Sequence, residues 1–487
     1  MNAVSEKFKE NGIGWKYINI AIIFCLGIMY AILASFEVFW YDEAYTVGMI
    51  FRDYSEIIEI TSRDVHTPFY YFVLKFFYET LGGHTLISIK MFSVLFLMLY
   101  VVLGGYLVRR HYNRQVEFFW LILSGFMPAM VIQSTSARMY TFALFWVTCA
   151  SYLAYSLYLQ ESRRKWILLV VATIIAIYIH TFSMIEMVIV YCSFIVAVLA
   201  QKRYQTLKRI FIAGAIVAVS YLPWLFVLWR QFSRWAGWES GWSNTIEQFS
   251  FHSIKVYMAE WFSSIENPQP YAIIFGLFLF FISGIFAMRY VKEQKHWMPV
   301  LGLLIALIVL VIAVLITIFI VPCFLGRYLF PLAGTVWLFV AVGIYRTKNR
   351  WLQVALIVGI LSCGIPAYCE ELRLENESGL SVYRDCIENE WEEGDVIMAD
   401  AYFTLMMSIY FPEADYMVYG SMPNCIPFDN CTVFTKWEQL EGVDTVWYLS
   451  FSNFRVGNLY DKYQVMGSKD IPFSYYDIVL EKCVSKE

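Results

Sequence analysis

Eleven apolar stretches run through residues 17–369, and the short loops between them alternate in charge. They lie near 17–36, 84–108, 115–132, 137–159, 164–179, 182–200, 208–229, 270–290, 297–320, 324–345 and 351–369. Each is long enough, or nearly so, for a helix to cross about 30 Å of hydrocarbon. Helices are what such stretches must form, because lipid offers an open backbone no hydrogen-bonding partner. Every second loop is basic: Lys7, Lys9 and Lys16; Arg109, Arg110 and Arg114; Arg163, Arg164 and Lys165; Lys202, Arg203, Lys208 and Arg209; Arg289, Lys292 and Lys295; Arg346, Lys348 and Arg350. Those six groups hold 19 of the 36 lysines and arginines, whereas the alternate short loops hold one base or none. The pattern predicts an α-helical polytopic membrane protein of about eleven spans in the cell membrane, with a cytoplasmic N-terminus and an external C-terminus. Only Tyr178–Thr181 separates the fifth and sixth stretches, yet the alternation continues beyond it, which supports two spans there. The first stretch has no small-residue cleavage site before Asp42 and reads as a retained signal anchor.

Charge divides the chain in two. Residues 370–487 carry 22 acidic and 8 basic side chains, and the rest carries 18 and 28. This asymmetry predicts a membrane unit over 1–369 and a soluble extracytoplasmic unit over 370–487. Neither contains a basic cluster of the kind that binds nucleic acid. In the tail, apolar runs at Asp395–Ala399, Tyr416–Tyr419, Thr445–Leu449 and Tyr476–Leu480 predict strands, and Thr404–Tyr410 and Thr435–Leu440 predict helices. Their alternation points to a small α/β layer fold. Cys386, Cys425, Cys431 and Cys483 allow two disulfides or four free thiols, and no CxxC pair suggests zinc.

The chemistry-bearing residues fall beside loops on the face opposite the positive charge. Asp42–Glu43 follows the first span among aromatics, where a carboxylate can act as a general base toward a hydroxyl. His66 precedes Pro68 and a predicted helix, a place suited to a phosphate or a metal. Arg138 opens the fourth span within Ala137-Arg-Met-Tyr140, and Arg327 is the only base of its loop, beside Tyr328. A guanidinium matches phosphate in a fork. His180 stands alone between two spans, and Glu186 lies inside the sixth. The plainer roles are a solvated loop start for the acidic pair, a helix cap for His66 and snorkelling for the arginines. The segment 37–83 predicts short helices over Tyr54–Ile60 and after Pro68, and 230–269 is rich in Trp (235, 238, 242, 261) and mostly non-spanning.

Taken in order, four marks resemble the GT-C superfamily of glycosyltransferases. They are the acidic pair Asp42–Glu43, the His66-x-Pro68 helix start, Ala137 to Tyr140, and Gly326-Arg-Tyr-x-x-Pro331. The chain is similar there to bacterial family 39-like enzymes, protein O-mannosyltransferases and lipid A aminoarabinose transferases. The resemblance implies a sugar donor linked to a polyprenyl phosphate and an inverting transfer to a hydroxyl on a lipid, glycan or protein. By position it implies Asp42 as the base, with Glu43 orienting the acceptor or supporting Asp42. It implies Arg138, Tyr140, Arg327 and Tyr328 around the donor phosphate, and His66 and His180 at substrate or metal. Where aminoarabinose transferases carry a metal-linked carboxylate, this chain has His66, so a divalent metal is left open. The tail is unlike the β-trefoil of eukaryotic mannosyltransferases. Two rival readings are a lipid-linked glycan transporter or flippase, for which Glu186 and Lys90 are the intramembrane ionisable groups, and a membrane-anchored binding protein whose tail does the work.

Overall fold

The computed structural model describes residues 13–486 except 65, 237–249, 265–267, 295–296, 321–322, 377–379, 420–426, 452–458 and 474–475. In chain order the membrane part contains α1 (Ile13–Leu33), α2 (Tyr41–Phe51), α3 (Tyr54–Arg63), α4 (Phe69–Thr80), α5 (Leu86–His111), α6 (Arg114–Phe126), α7 (Pro128–Ser134) and α8 (Tyr140–Leu159). It continues with α9 (Arg163–Ile179), α10 (Thr181–Ala200), α11 (Tyr204–Ala236), α12 (Phe251–Phe262), α13 (Pro270–Gln294), α14 (Met298–Phe319), α15 (Ala333–Arg346) and α16 (Arg350–Asn376). Among the described residues nine helices are long and apolar enough to cross a membrane, or ten if one bent pair counts as a span. The remaining predicted stretch is α9, a helix of 17 residues. The protein is a multi-pass membrane protein.

The bent pair is the third predicted stretch. α6 and α7 meet at 59°, because Pro128 has no N–H to continue the ladder and holds Met127 extended (ψ 137°). At the end of α6 the Gly125 carbonyl accepts from the Tyr30 hydroxyl at 2.5 Å, a substitute partner of the kind a broken membrane helix needs. α15 is buried from Ala333 to Ile344 and forms the centre of the bundle. Trp120 and Trp337 are its largest fully buried neighbours and members, and Trp120 Nε1 donates to the Gly334 carbonyl at 2.9 Å.

The basic loops close one end of the bundle. There Glu161 takes Arg203 at 3.1 Å and Arg209 at 2.5 Å, and Arg346 pairs with Glu293. The other end carries α2, α3, α4 and the tail. The sequence predicts the helices at Tyr54 and after Pro68. It does not predict α2, whose buried run from Glu43 to Ile50 masks any solvent-facing periodicity. The Trp-rich segment is helical to Ala236 and again in α12, and Trp238 and Trp242 lie outside the described residues.

α16 continues past position 369 to Asn376 without a break. The tail then forms α17 (Leu380–Glu390), β1 (Val396–Asp400), α18 (Ala401–Met407), β2 (Asp415–Tyr419), β3 (Cys431–Val433), β4 (Thr445–Phe451), α19 (Leu459–Lys462), β5 (Tyr463–Phe473) and β6 (Tyr476–Ser485). The sheet order is β3-β2-β1-β4-β6-β5. The first four strands are parallel, and β6 and β5 join antiparallel. Alternate residues of each strand serve different cores. Ile397, Ala399, Tyr416 and Leu449 share one with Phe39, Val47 and Ile50 from the membrane part, while Val396, Met398, Val446 and Tyr448 face another. The predicted strands are present, and β3 and β5 are additions. The Thr435–Leu440 stretch is a 3₁₀ turn at Trp437–Leu440. Cys386, Cys431 and Cys483 are free thiols, and Cys425 lies outside the described residues.

Candidate functional site

The acidic pair occupies the first turn of α2. Trp40 is extended (φ −84°, ψ 174°) and starts the helix. The Glu43 carboxylate turns back to accept from Trp40 N at 3.2 Å, as a carboxylate three residues into a helix commonly does. Its second oxygen accepts from Ala137 N at 2.7 Å. Glu43 is therefore buried with both oxygens engaged by backbone. Burial pushes its acid form up, against the lowering pull of Lys90 and those N–H groups. Asp42 points elsewhere. Its Oδ2 accepts from Arg327 Nη2 at 3.0 Å, with about one-seventh of each side chain exposed.

Arg138 follows Ala137 in the turn that the Glu43 carboxylate anchors. Its Nη1 donates to the Asp42 carbonyl at 3.0 Å and to Thr46 Oγ1 at 3.3 Å. Its Nη2 lies 2.8 Å from His66 Nε2. Arginine can only donate, so Nε2 accepts and the His66 proton sits on Nδ1, 2.6 Å from Asp64 Oδ2. Both ring nitrogens are thus committed. Among the described residues no group of three His, Cys, Asp or Glu is placed to hold a metal ion.

The turn at residues 66–68 is tied to the junction of α9 and α10. Thr67 Oγ1 donates to the carbonyls of Tyr178 (2.5 Å) and Ile179 (3.1 Å). This brings His180 to the cluster, where it caps α10 by accepting from Phe182 N at 3.3 Å. Burial, followed by the neighbouring His66, Arg138 and Arg327, pushes the His180 imidazolium down to about 3. His180 is therefore neutral near neutral pH and supplies no positive charge. Its ring is 5.0 Å from that of Tyr328 and 6.2 Å from that of Tyr140, both centroid to centroid.

Arg327 rises from the 3₁₀ turn Gly326–Leu332. Its guanidinium lies 5.3 Å from the Trp40 ring centroid, a cation–π placement. Arg138 Nε and Arg327 Nε are buried and have no hydrogen-bond partner among the described residues. Two buried guanidinium groups with unused donors form a place for an anion. The eight residues assigned to the transferase site from the sequence, Asp42, Glu43, His66, Arg138, Tyr140, His180, Arg327 and Tyr328, lie in this one neighbourhood.

Three further members are not singled out by the sequence. Asp64 orients His66, and Trp40 covers Arg327. The third is Glu260 on α12. Its Oε2 lies 2.0 Å from where a β-carbon on Gly326 would be, so any larger residue there would displace the carboxylate. Glu260 is buried, and burial raises its acid form to about 7 against the pull of Arg327 and the N–H groups of Arg327 and Gly326. The signal for Glu260 was a lone acid in the apolar run Val256–Phe262. Lys90 is not an isolated intramembrane charge, since its Nζ is 2.5 Å from Glu375 Oε1 near the end of α16.

No family profile matches this chain, and no curated protein matches it. Solved structures do. The chain is similar to ArnT from Cupriavidus metallidurans bound to undecaprenyl phosphate, with a TM-score of 0.61 at 11% identity over 96% of this chain and 98% of that one. The apo state of the same protein gives 0.59 at 11% identity over the same shares. An oligosaccharyltransferase from Archaeoglobus fulgidus, in complex with Zn and sulfate, gives 0.49 at 12% identity over 81% of this chain and 62% of that chain. Over nearly its whole length, membrane helices and tail together, the chain has the fold seen in ArnT.

Proposed function

We propose that this protein is an inverting membrane glycosyltransferase that moves a sugar from a polyprenyl-phosphate donor to a hydroxyl acceptor. The observation that carries the reading is the meeting of Asp42 with Arg327 and Arg138 at one end of the bundle, with the Nε of each arginine left without a hydrogen-bond partner among the described residues. In this reading Asp42 takes the proton from the acceptor hydroxyl. The hydroxyl oxygen attacks the anomeric carbon, and the bond to the phosphate oxygen breaks with its electron pair leaving on the lipid phosphate. Positive charge develops on the sugar ring, and negative charge on the leaving phosphate. Arg138 and Arg327 stabilise that negative charge where water is largely excluded. Tyr140, Tyr328 and neutral His180 line the same side and can donate hydrogen bonds without adding charge.

Glu43 is a positioning residue here. Its bonds to Trp40 N and Ala137 N set the first turn of α2 against the turn that carries Arg138. His66, held by Asp64, fixes the other side of the Arg138 guanidinium. The acceptor is a lipid, glycan or protein. The unit of 1–369 carries the chemistry, and 370–487 stands with the site on the external face, as the basic loops at the opposite end imply. A transporter reading is weaker. Of its two intramembrane charges, Lys90 is paired with Glu375, which leaves only Glu186, buried in α10, for that role. Mass spectrometry of products after incubation with a panel of undecaprenyl-phosphate sugars tests the proposal. Transfer with appearance of undecaprenyl phosphate is expected, and movement of intact donor across the bilayer without cleavage would favour the transporter instead.

A further inference from the structure

Both ends and the middle of α2 are held by the tail, across more than three hundred residues of chain. Just before α2, the Tyr410 hydroxyl accepts from Phe39 N at 2.8 Å and donates to the Glu37 carbonyl at 3.0 Å. Burial pushes the Tyr410 hydroxyl up, so it keeps the proton it needs to make both bonds. The Phe39 ring is fully buried, and Lys90 Nζ lies 5.4 Å from its centroid while also pairing with Glu375. At the far end of α2, Arg52 Nε donates to the Pro427 carbonyl at 2.7 Å and Nη1 to Asp429 Oδ1 at 2.5 Å. Between them, a β-carbon on Gly48 would fall 2.6 Å from Pro427 Cγ and 2.8 Å from the Phe428 ring. The tail therefore approaches α2 so closely that only glycine fits.

Gly48 and Arg52 are one turn apart and form a stripe on the helix, while Asp42 and Thr46, also one turn apart, both meet Arg138. α2 is thus gripped along one line by the tail and presents another to the arginines. We propose that the tail serves as a clamp that sets α2, and through it Asp42, in register with Arg138 and Arg327, with Tyr410 as its principal positioning residue. The inference rests on the reading of Asp42 given above. It assigns the tail a task inside the molecule rather than a substrate of its own. The physical need is plain, since a misplacement of about 1 Å between reacting groups can cost about a hundredfold in rate. α2 is a short helix between two turns and no membrane-spanning element carries it.

Tyr410→Phe in the full-length protein removes one oxygen and keeps the buried ring. In native membranes supplied with undecaprenyl-phosphate mannose or undecaprenyl-phosphate aminoarabinose, release of undecaprenyl phosphate reports turnover. The expected result is a kcat lowered about tenfold with donor KM unchanged. Hydrogen exchange at the Phe39 amide, read on purified protein without any substrate, should become faster. Asp429→Asn, which loosens the far end, should lower kcat less and leave Phe39 exchange as it was. Wild-type kcat in Tyr410→Phe, or unchanged Phe39 exchange, overturns the clamp. A raised KM with kcat intact overturns it too, and makes the tail a binding module. Asp42→Asn in the same assay separates the two claims: if it turns over normally, the reading of Asp42 fails, whereas Phe39 exchange still judges the grip of Tyr410.

Discussion

The two ends of the helical bundle use the same residue types to different ends. At the basic end Arg209 pairs with Glu161 at 2.5 Å with more than half of its side chain (57%) exposed. At the tail end Arg327 pairs with Asp42 at 3.0 Å with only 13% exposed. Water screens the first pair, and such pairs contribute little. The second has lost most of its water, its Nε has no partner among the described residues, and Trp40 covers it. A guanidinium so placed holds its charge ready for an anion. Burial and incomplete pairing, more than residue type, distinguish the end that carries the proposed site.

The contrast can be broken or sharpened by substitution. Arg327→Met should have a large effect, because it removes the proposed phosphate donor and leaves the mostly buried Asp42 without its cation. Turnover of an undecaprenyl-phosphate sugar should fall about a thousandfold, with the protein still folded by thermal melting in detergent. Arg138→Lys keeps the charge but cannot bond Asp42, Thr46 and His66 at once, so a loss of about a hundredfold in kcat/KM is expected. A near-normal rate in either variant would place the anion elsewhere.

Glu260→Gln tests pH dependence. Glu260 is raised to about 7 chiefly by burial. Below that pH it is neutral and leaves Arg327 free to attract phosphate, and above it the carboxylate competes. Donor KM should therefore rise as pH increases through about 7, and Glu260→Gln should keep KM low and flatten the profile. The same shift makes the folded protein hold a proton that the unfolded chain has already released. Its contribution to stability is complete below the ordinary carboxylate range and is lost as pH rises through about 7. Among the described residues Tyr257 is a further titratable neighbour, raised by burial and then by Glu260. At the basic end Arg209→Ala should change turnover less than about twofold and stability by at most about 1 kcal/mol. A large loss there would show that the two ends are coupled.

Much of the candidate site was legible because charge alternation tells at which end each loop emerges. Asp42, Arg138, His180 and Arg327 lie far apart in sequence, yet each follows or precedes a span that returns to the same end. What alternation cannot show is how residues meet within that end. α2 escaped because a helix buried around most of its surface has no amphipathic pattern. Glu260 escaped because its meaning depends on the close approach of Gly326. The Lys90–Glu375 pair and the Tyr410 bonds to Phe39 and Glu37 join distant residues, and no local spacing records them. The sheet edges β3 and β5 were missed for a related reason. β3 has three residues, and β5 holds Lys469, Asp470 and Pro472, which edge strands tolerate and sequence patterns read as loop.

Single-turnover transfer from an undecaprenyl-phosphate sugar by Asp42→Asn, measured beside its binding of undecaprenyl phosphate, bears most directly on the role given to this carboxylate. The account predicts a rate lowered about a thousandfold, with lipid phosphate bound at least as tightly because Arg327 has lost its ionic partner. Transfer at the wild-type rate by folded Asp42→Asn protein would contradict it.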